Sequence, residues 1–404
     1  MPDDNLSTNK PFNEVPKTPD LRKRSLGRRV RFRASSGLLP VALESSKTRR
    51  MMPAFWYKLG FIGKFLSALA LVLILAAASA AVYFNFVDKS KGATSVSQSN
   101  KREEPKTVAS PLTGMPVAPE LATRPVTGIM IENSLDARPQ SGIQDAGVIF
   151  EAIAEGGITR LITLFQDARP GYIGPVRSLR PYYIDWAASF DASIAHVGGS
   201  PDALGQIRNG GKDLDQFFNA SSYWREGSRP SPHNVYTNFD KLDELNNSKG
   251  YTSSNFTPLP RKKDERLATP SAKTIDLNIS SAAFNVHYDY DYQSNSYHRS
   301  EGGAAHIATS SAGDKTGTLL APKVVVAMVM QYSIVDNSGH SGYGTTGSGT
   351  AYVFQDGFVV QGTWTKTTIS SQIDLKDTAG NPIKLNAGQV WLTAVKDGQT
   401  KYSP

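Results

Sequence analysis

"IFEAIAEGGITRLITLFQ", residues 149–166, is the stretch on which the fold turns. Apolar and β-branched residues flank Gly156-Gly157 on both sides, and a glycine pair supplies the positive φ of a tight reversal. The stretch reads as two antiparallel strands joined by a turn. Alternation along a strand puts positions 151, 153 and 155 on one face. Glu151 and Glu155 are therefore expected to point together, about 13 Å apart on an undistorted strand. Glycosidase carboxyl pairs stand about 5–5.5 Å or about 6.5–9.5 Å apart. The pair is too widely spaced for that chemistry unless a bulge or turn at Glu155 closes the gap. One glutamate paired with Arg160 across the hairpin is the economical reading, ahead of ligand binding and of catalysis.

Further strands extend outward from this hairpin. "VTGIMIEN" precedes it and "ASIAHVGGS" follows. Between them "PYYIDWAASF", 181–190, predicts a helix with Pro181 at its first position. "SPDALGQIRNG" predicts a second, with Ser200 as N-cap and Gly210 at the exit. Residues 241–272 are polar and turn-rich and read as a connection. Beyond them the texture is β: "FNVHYDYD", "KVVVAMVM", "GTAYVFQDGFVVQGTW" and "QVWLTAV", with "QDGF" an Asp-Gly hairpin turn. "LKDTAGNPIKL" predicts another turn between strands.

A chain of 404 residues exceeds one ordinary core. The expected fold is α+β: a mixed α/β domain at 111–240, the connection at 241–272, and a mostly antiparallel β domain at 273–404. The formal charge is +8, but residues 1–64 hold 14 Lys/Arg and 5 Asp/Glu, which leaves 30 and 31 for the remainder. The basicity is thus confined to the first 64 residues, and a nucleic-acid face on the main body is not supported. "FLSALALVLILAAASAAVYFNFV", 65–87, has 23 residues and no charge. As a helix it spans about 34 Å against a hydrocarbon core of roughly 30 Å. It is read as one transmembrane helix; a cleaved signal ending at Ala78-Ser79-Ala80 is the alternative, with a longer apolar run than such signals carry. Lysines and arginines before it, including "RKRSLGRRVRFR" at 22–33, outnumber those after it. The positive-inside rule then puts 1–64 in the cytoplasm, as a disordered basic tail, and the main body outside. Residues 88–110 read as a flexible tether. The chain has no cysteine, so disulfides, thiol catalysis and thiolate metal sites are excluded.

"RPVTGIMIENSLDARPQSGIQDAGVIFEAIAEGGITRLITLFQ", "IGPVRSLRPYYIDWA", "HVGGSPDAL" and "PHNVYT" resemble, in this order, the YerB-like family of bacterial extracytoplasmic proteins. "YDYDYQSNSYHRSEGG", "VVVAMVM", "GSGTAYVFQDGFVVQGTWTK" and "NPIKLNAGQVWLTAV" resemble that family's C-terminal domain. The resemblance covers about 112–239 and 282–395 and implies a two-domain protein of unestablished activity. Many members are held by an N-terminal lipidated cysteine. This chain departs from that pattern, and the apolar helix is expected to replace the lipid.

The candidate binding cleft gathers Glu151, Glu155, Arg160, Arg177, Arg180, His196, Ser200, His233 and Asn234. Arg177 and Arg180 in "GPVRSLRP" stand just before a helix start, suited to a carboxylate or phosphate or to the nearby acids. Ser200 lacks the G-x-S-x-G setting of a nucleophile and reads as a cap. His196 reads as structural, with a base as the alternative. His196 and His233 lack any metal-ligand spacing, so no metal and no cofactor is expected. Tyr288, Tyr290, Tyr292 and Tyr297 form either an aromatic shelf for sugar rings or the cover of a sheet face. Trp364 and Trp391 read as core. No residue earns a catalytic assignment. The leading function is an envelope binding or scaffold protein, whose partners are the membrane and either cell-wall polymer or envelope proteins. An envelope hydrolase acting through first-domain carboxylates, and an adaptor with a nucleic-acid- or protein-binding tail, are the alternatives.

Overall fold

The computed structural model describes residues 60–91 and 106–404, apart from 312, 313 and 315. The tail 1–59 and most of the tether lie outside them. Helix α1, Phe61–Lys91, is 31 residues long. Within it Phe65–Tyr83 is apolar and long enough to cross a membrane, and its side chains are exposed. It belongs to a compact unit distinct from the one containing 106–404.

In the larger unit the first region supplies β1 (Thr127–Glu132), β2 (Val148–Glu155), β3 (Ile158–Phe165), β4 (Ser193–His196) and β5 (Lys212–Asp215). Helices α2 (Pro181–Ala188), α3 (Pro201–Arg208) and α4 (Phe239–Ser248) accompany them. The second region supplies β6 (Thr274–Leu277), β7 (Val286–Asp291), β8 (Ser296–Glu301), β9 (Val324–Val329) and β10 (Gly347–Gln355). It continues with β11 (Phe358–Lys366), β12 (Asp374–Asp377), β13 (Val390–Val395) and β14 (Thr400–Ser403). Helices α2 and α3 open on Pro181 and on capping Ser200 as the sequence indicates. Asp356 and Gly357, both left-handed, turn β10 into β11. Trp364 and Trp391 are buried in the core.

One ten-stranded sheet runs through both regions in the order β12-β11-β10-β9-β13-β2-β3-β1-β4-β5. Its junction is the parallel pairing of β13 with β2, Val390 opposite Val148 and Thr393 opposite Glu151. Pairing is parallel for β1, β4 and β5 and antiparallel from β9 through β12. A second sheet contains β8-β7-β6-β14, extended at its edge by Ala304–Ala305.

Alternation decides what covers each face. Val148, Phe150 and Ala152 pack with Tyr183 and Trp186 of α2. Ile149 and Leu161 point the other way, into a cluster with Phe239, Leu242 and Leu245 of α4. On that same side Ile153, Val325 and Phe354 meet Ile275, Tyr288 and Tyr297 of the smaller sheet. The stretch read as a polar connection thus begins with a packed helix. Asn238 caps it through the Lys241 N–H, and its three apolar residues fall at intervals of three.

Because β13 lies between β9 and β2, separating the regions would expose strand edges and both apolar faces of the sheet. Calorimetry of the full-length protein is expected to show 106–404 unfolding in one transition with equal van't Hoff and calorimetric enthalpies. Two resolved transitions would contradict the shared sheet.

Candidate functional site

Hairpin β2–β3 turns at Gly156 and Gly157, both left-handed, with φ of 58° and 78°. The cross-strand register shifts between Ile153 and Glu155, a bulge that adds one residue to β2. Ladder bonds lost at the bulge are replaced by tyrosine hydroxyls. Tyr182 donates to the Ile153 carbonyl at 2.8 Å, Tyr183 to those of Ala152 and Arg160, and the Ile153 N–H donates to Tyr343. The bulge also corrects the expectation for the glutamates. Arg160 stands opposite Ala152, on the α2 face, and Glu155 joins it there, whereas Glu151 stays opposite Leu161 on the other face. The two carboxylates point to opposite sides of the sheet. They form no acid–base pair.

On the α2 face, Glu155 Oε1 accepts from Arg160 at 2.6 Å and Oε2 from Arg180 at 2.7 Å. Burial works to raise the Glu155 carboxyl, but the two guanidiniums overcome it and hold it below the ordinary carboxylate range. Arg160 also donates to the Ser178 carbonyl, and Arg180 to that of Leu179. The hairpin is thereby fastened to the segment leading into α2.

On the opposite face Glu151 is fully buried, and both its oxygens accept from Nη2 of fully buried Arg299, at 3.0 and 2.9 Å. Trp391 Nε1 donates to Glu151 Oε2, and the Arg299 guanidinium lies 4.1 Å from the Trp391 ring centre. Arg299 Nη1 donates to the Tyr288 hydroxyl and Nε to His306 Nδ1. His306 Nδ1 is therefore the acceptor nitrogen, and Nε2 donates to Gln140 Oε1 at 2.9 Å. Burial and the two nearby guanidiniums keep His306 well below its ordinary pKa. Glu301 Oε1 accepts from Asn133 and Arg138, at 2.7 and 2.8 Å. Its Oε2 lies 3.3 Å from the accepting His306 Nδ1. Two acceptors face each other there, which favours a protonated carboxyl. Burial above all, then the charge of Glu151, raises Glu301 to about 7 against the pull of Arg299 and Arg138.

The sequence reading missed Asn133, Arg138, Gln140, Glu301 and His306 of this network, as well as Arg299. The signal for Arg299 is alternation on β8, which puts Tyr297, Arg299 and Glu301 on one buried face. The tyrosine shelf also needs correction. Tyr288 and Tyr297 are buried in the core between the sheets, Tyr290 packs against Tyr297 with the rings tilted by 48°, and Tyr292 alone of the four is exposed. Tyr288 stands opposite Arg299 and Tyr297 opposite Tyr290 across β7 and β8, on the face that packs into the core.

The remaining candidates lie around β1 and β4. Glu132 Oε1 accepts from Ser134 and from His233 Nδ1 and lies 3.4 Å from Arg177 Nε. Asn234 accepts from Arg225. His196 is fully buried, its Nε2 3.0 Å from Asp213 and its Nδ1 2.8 Å from the Gly198 carbonyl, so both nitrogens are engaged. Ser200 accepts from the Ala203 N–H as a helix cap. The nine cleft candidates therefore fall into separate groups, one on each side of β2 and one at the ends of β1 and β4. Among the described residues no group of three His, Asp or Glu side chains is placed to hold a metal. A cavity of about 480 Å³ opens beside Arg138, Glu301 and His306, and one of about 390 Å³ beside Arg180, Asp185 and His340. A third, of about 550 Å³, lies at the ends of β4 and β5.

Folding raises Glu301 above the ordinary carboxylate value of 4.5, so between about pH 4.5 and 7 the folded state holds the extra proton. Its contribution to stability is complete below that window and is lost as pH rises through it. Chemical denaturation across pH 4–8 is expected to show that decline, flattened in Glu301→Gln. An equal slope in both proteins would contradict the assignment.

Comparison with known proteins agrees with this framework. Residues 112–252 match the N-terminal domain, and 275–392 the C-terminal domain, of a family described as protein of unknown function (DUF3048). The chain is 31% identical to "Putative lipoprotein YerB" of Bacillus subtilis (strain 168), over 72% of its own length and 87% of that protein. The crystal structure of YerB protein from Bacillus subtilis superposes with a TM-score of 0.65 at 28% identity, covering 74% of this chain and all of that one. The chain is a member of the YerB-like DUF3048 family.

Proposed function

We propose that this protein is a membrane-anchored binding protein of the cell envelope, its main body held outside the cytoplasm by α1. The relative named a lipoprotein supports membrane association, as does the apolar segment Phe65–Tyr83. In this reading the helix does the work that a lipid does elsewhere, consistent with a chain that has no cysteine. Orientation rests on the excess of Lys and Arg before the helix.

One observation carries the preference for binding over chemistry: the carboxylates of the hairpin are consumed internally. Glu155 is closed on two arginines and Glu151 on Arg299 and Trp391. A general base needs a lone pair within reach of substrate; Glu151 is fully buried, and Glu155, although partly exposed, has each oxygen held by an arginine. The hydrolase reading draws its support from a different residue, Glu301, whose raised carboxyl sits at the edge of the cavity beside Arg138. The adaptor reading depends on residues 1–59, outside the described residues.

The test is to incubate full-length protein in detergent with insoluble cell-wall material, sediment it, and analyse pellet and supernatant by mass spectrometry. The binding reading expects protein in the pellet and no new soluble fragments. Soluble fragments that disappear in Glu301→Gln would establish the hydrolase instead, and protein left wholly in the supernatant would exclude cell-wall polymer as the ligand.

A further inference from the structure

We infer that the crevice at the carboxyl ends of β1, β4 and β5 is the ligand site of this protein, and that it takes a sugar ring bearing a carboxylate or phosphate group. The inference deepens the binding reading above and rests on it.

The place follows from topology. β1, β4 and β5 run parallel, and open sheets with parallel strands bind ligands in the crevice beyond the strands' carboxyl ends. The cavity there, about 550 Å³, is large enough for a sugar with its substituents.

Three arginines line it: Arg177, Arg208 and Arg225. Asp215 is the one carboxylate in the lining, and it is fully buried and occupied. Its Oδ1 accepts from the Gly198 and Phe217 N–H groups at 3.1 and 3.2 Å, and its Oδ2 faces Arg208 at 3.3 Å. Arg225 donates to the neutral Asn234 amide and has no ion-pair partner among the described residues. Arg177 reaches Glu132 only at 3.4 Å, and its buried Nε makes no hydrogen bond. Glu132 and Asp215 thus pair two of the three arginines, and the positive charge of Arg225 is left without a carboxylate partner among the described residues, which suits an anionic group.

The second half of the site is aromatic. Phe217 and Phe218 follow the end of β5 after one intervening residue and are 69% and 70% exposed, unlike the buried rings of the core. Single exposed apolar residues are ordinary, but two adjacent phenylalanines at the rim of a charged crevice are costly to leave in water. Phe217 is held in place: its ring lies against Gly198, where a Cβ would stand 2.9 Å from Cε2. Arg208 lies 5.1 Å from the centre of the Phe218 ring. A sugar ring stacked on these faces would bring its anionic substituent toward the arginines. The tyrosines expected to form an aromatic shelf are largely buried elsewhere, and this phenylalanine pair takes over that role.

The experiment titrates the full-length protein in detergent with N-acetylmuramic acid, N-acetylglucosamine 1-phosphate and N-acetylglucosamine, read by calorimetry and saturation-transfer NMR. One or both acidic sugars are expected to bind at least about tenfold more tightly than the neutral one, and more weakly as salt rises from about 50 to about 500 mM. Which acid binds separates a carboxylated glycan from a phosphate-bearing polymer. Arg225→Ala and Phe217→Ala, both at exposed positions, are expected to cost about tenfold each with the thermal midpoint unchanged. Equal affinity for the neutral sugar, or unaltered affinity in both variants, would overturn the site. If no sugar binds while the protein still sediments with cell wall, this crevice is wrong and the binding reading stands. If neither occurs, both fall.

Discussion

The structure depends on one buried ion pair, Glu151 with Arg299. The two residues are 148 positions apart in the chain, one on the ten-stranded sheet and the other on the smaller sheet that covers it. Two charges withdrawn from water cost several kcal/mol each unless hydrogen bonds satisfy them. Trp391, Tyr288 and His306 supply those bonds, and their positions are fixed in turn by packing. The network extends through Glu301 to Arg138 and Asn133, so a residue displaced at any point leaves a buried charge uncompensated.

The pair also accounts for the division of labour around the hairpin. Glu155 is separated from Glu151 by a bulge that sends it to the α2 face, where Arg160 and Arg180 hold it. A charge pattern that resembles an active site in sequence is thus divided between two structural fastenings. What remains for function is charge that the fold does not consume. That charge lies at the carboxyl ends of the parallel strands, where Arg225 has no carboxylate partner among the described residues, Arg177 and Arg208 face Glu132 and Asp215, and two phenylalanines are exposed.

Much of this was legible in the sequence, for physical reasons. Hairpin β2–β3 could be read because a glycine pair between β-branched runs has few other solutions. Helices α2 and α3 carried Pro181 and Ser200 at their starts, and the pairing of one hairpin glutamate with Arg160 followed from the turn, the structure showing it to be Glu155. The bulge was not legible, since the hydroxyls that satisfy it come from Tyr182, Tyr183 and Tyr343, and the last is distant in sequence. The charge pairing of Arg299 could not be assigned, because alternation marks it as buried without naming its partner. Helix α4 was obscured by a polar composition, although Asn238 and the spacing of Phe239, Leu242 and Leu245 announced it. Phe217 and Phe218 carried no signal in the sequence, since exposure is a tertiary property.

The most direct measurement is a double-mutant cycle on Glu151→Gln and Arg299→Met, with stability taken from denaturant unfolding. Each single substitution is predicted to cost about 3–5 kcal/mol by leaving its partner charged and unpaired. The double variant should recover at least about 2 kcal/mol relative to their sum. Additive losses, or single losses below about 1 kcal/mol, would contradict the claim that this pair holds the two sheets together.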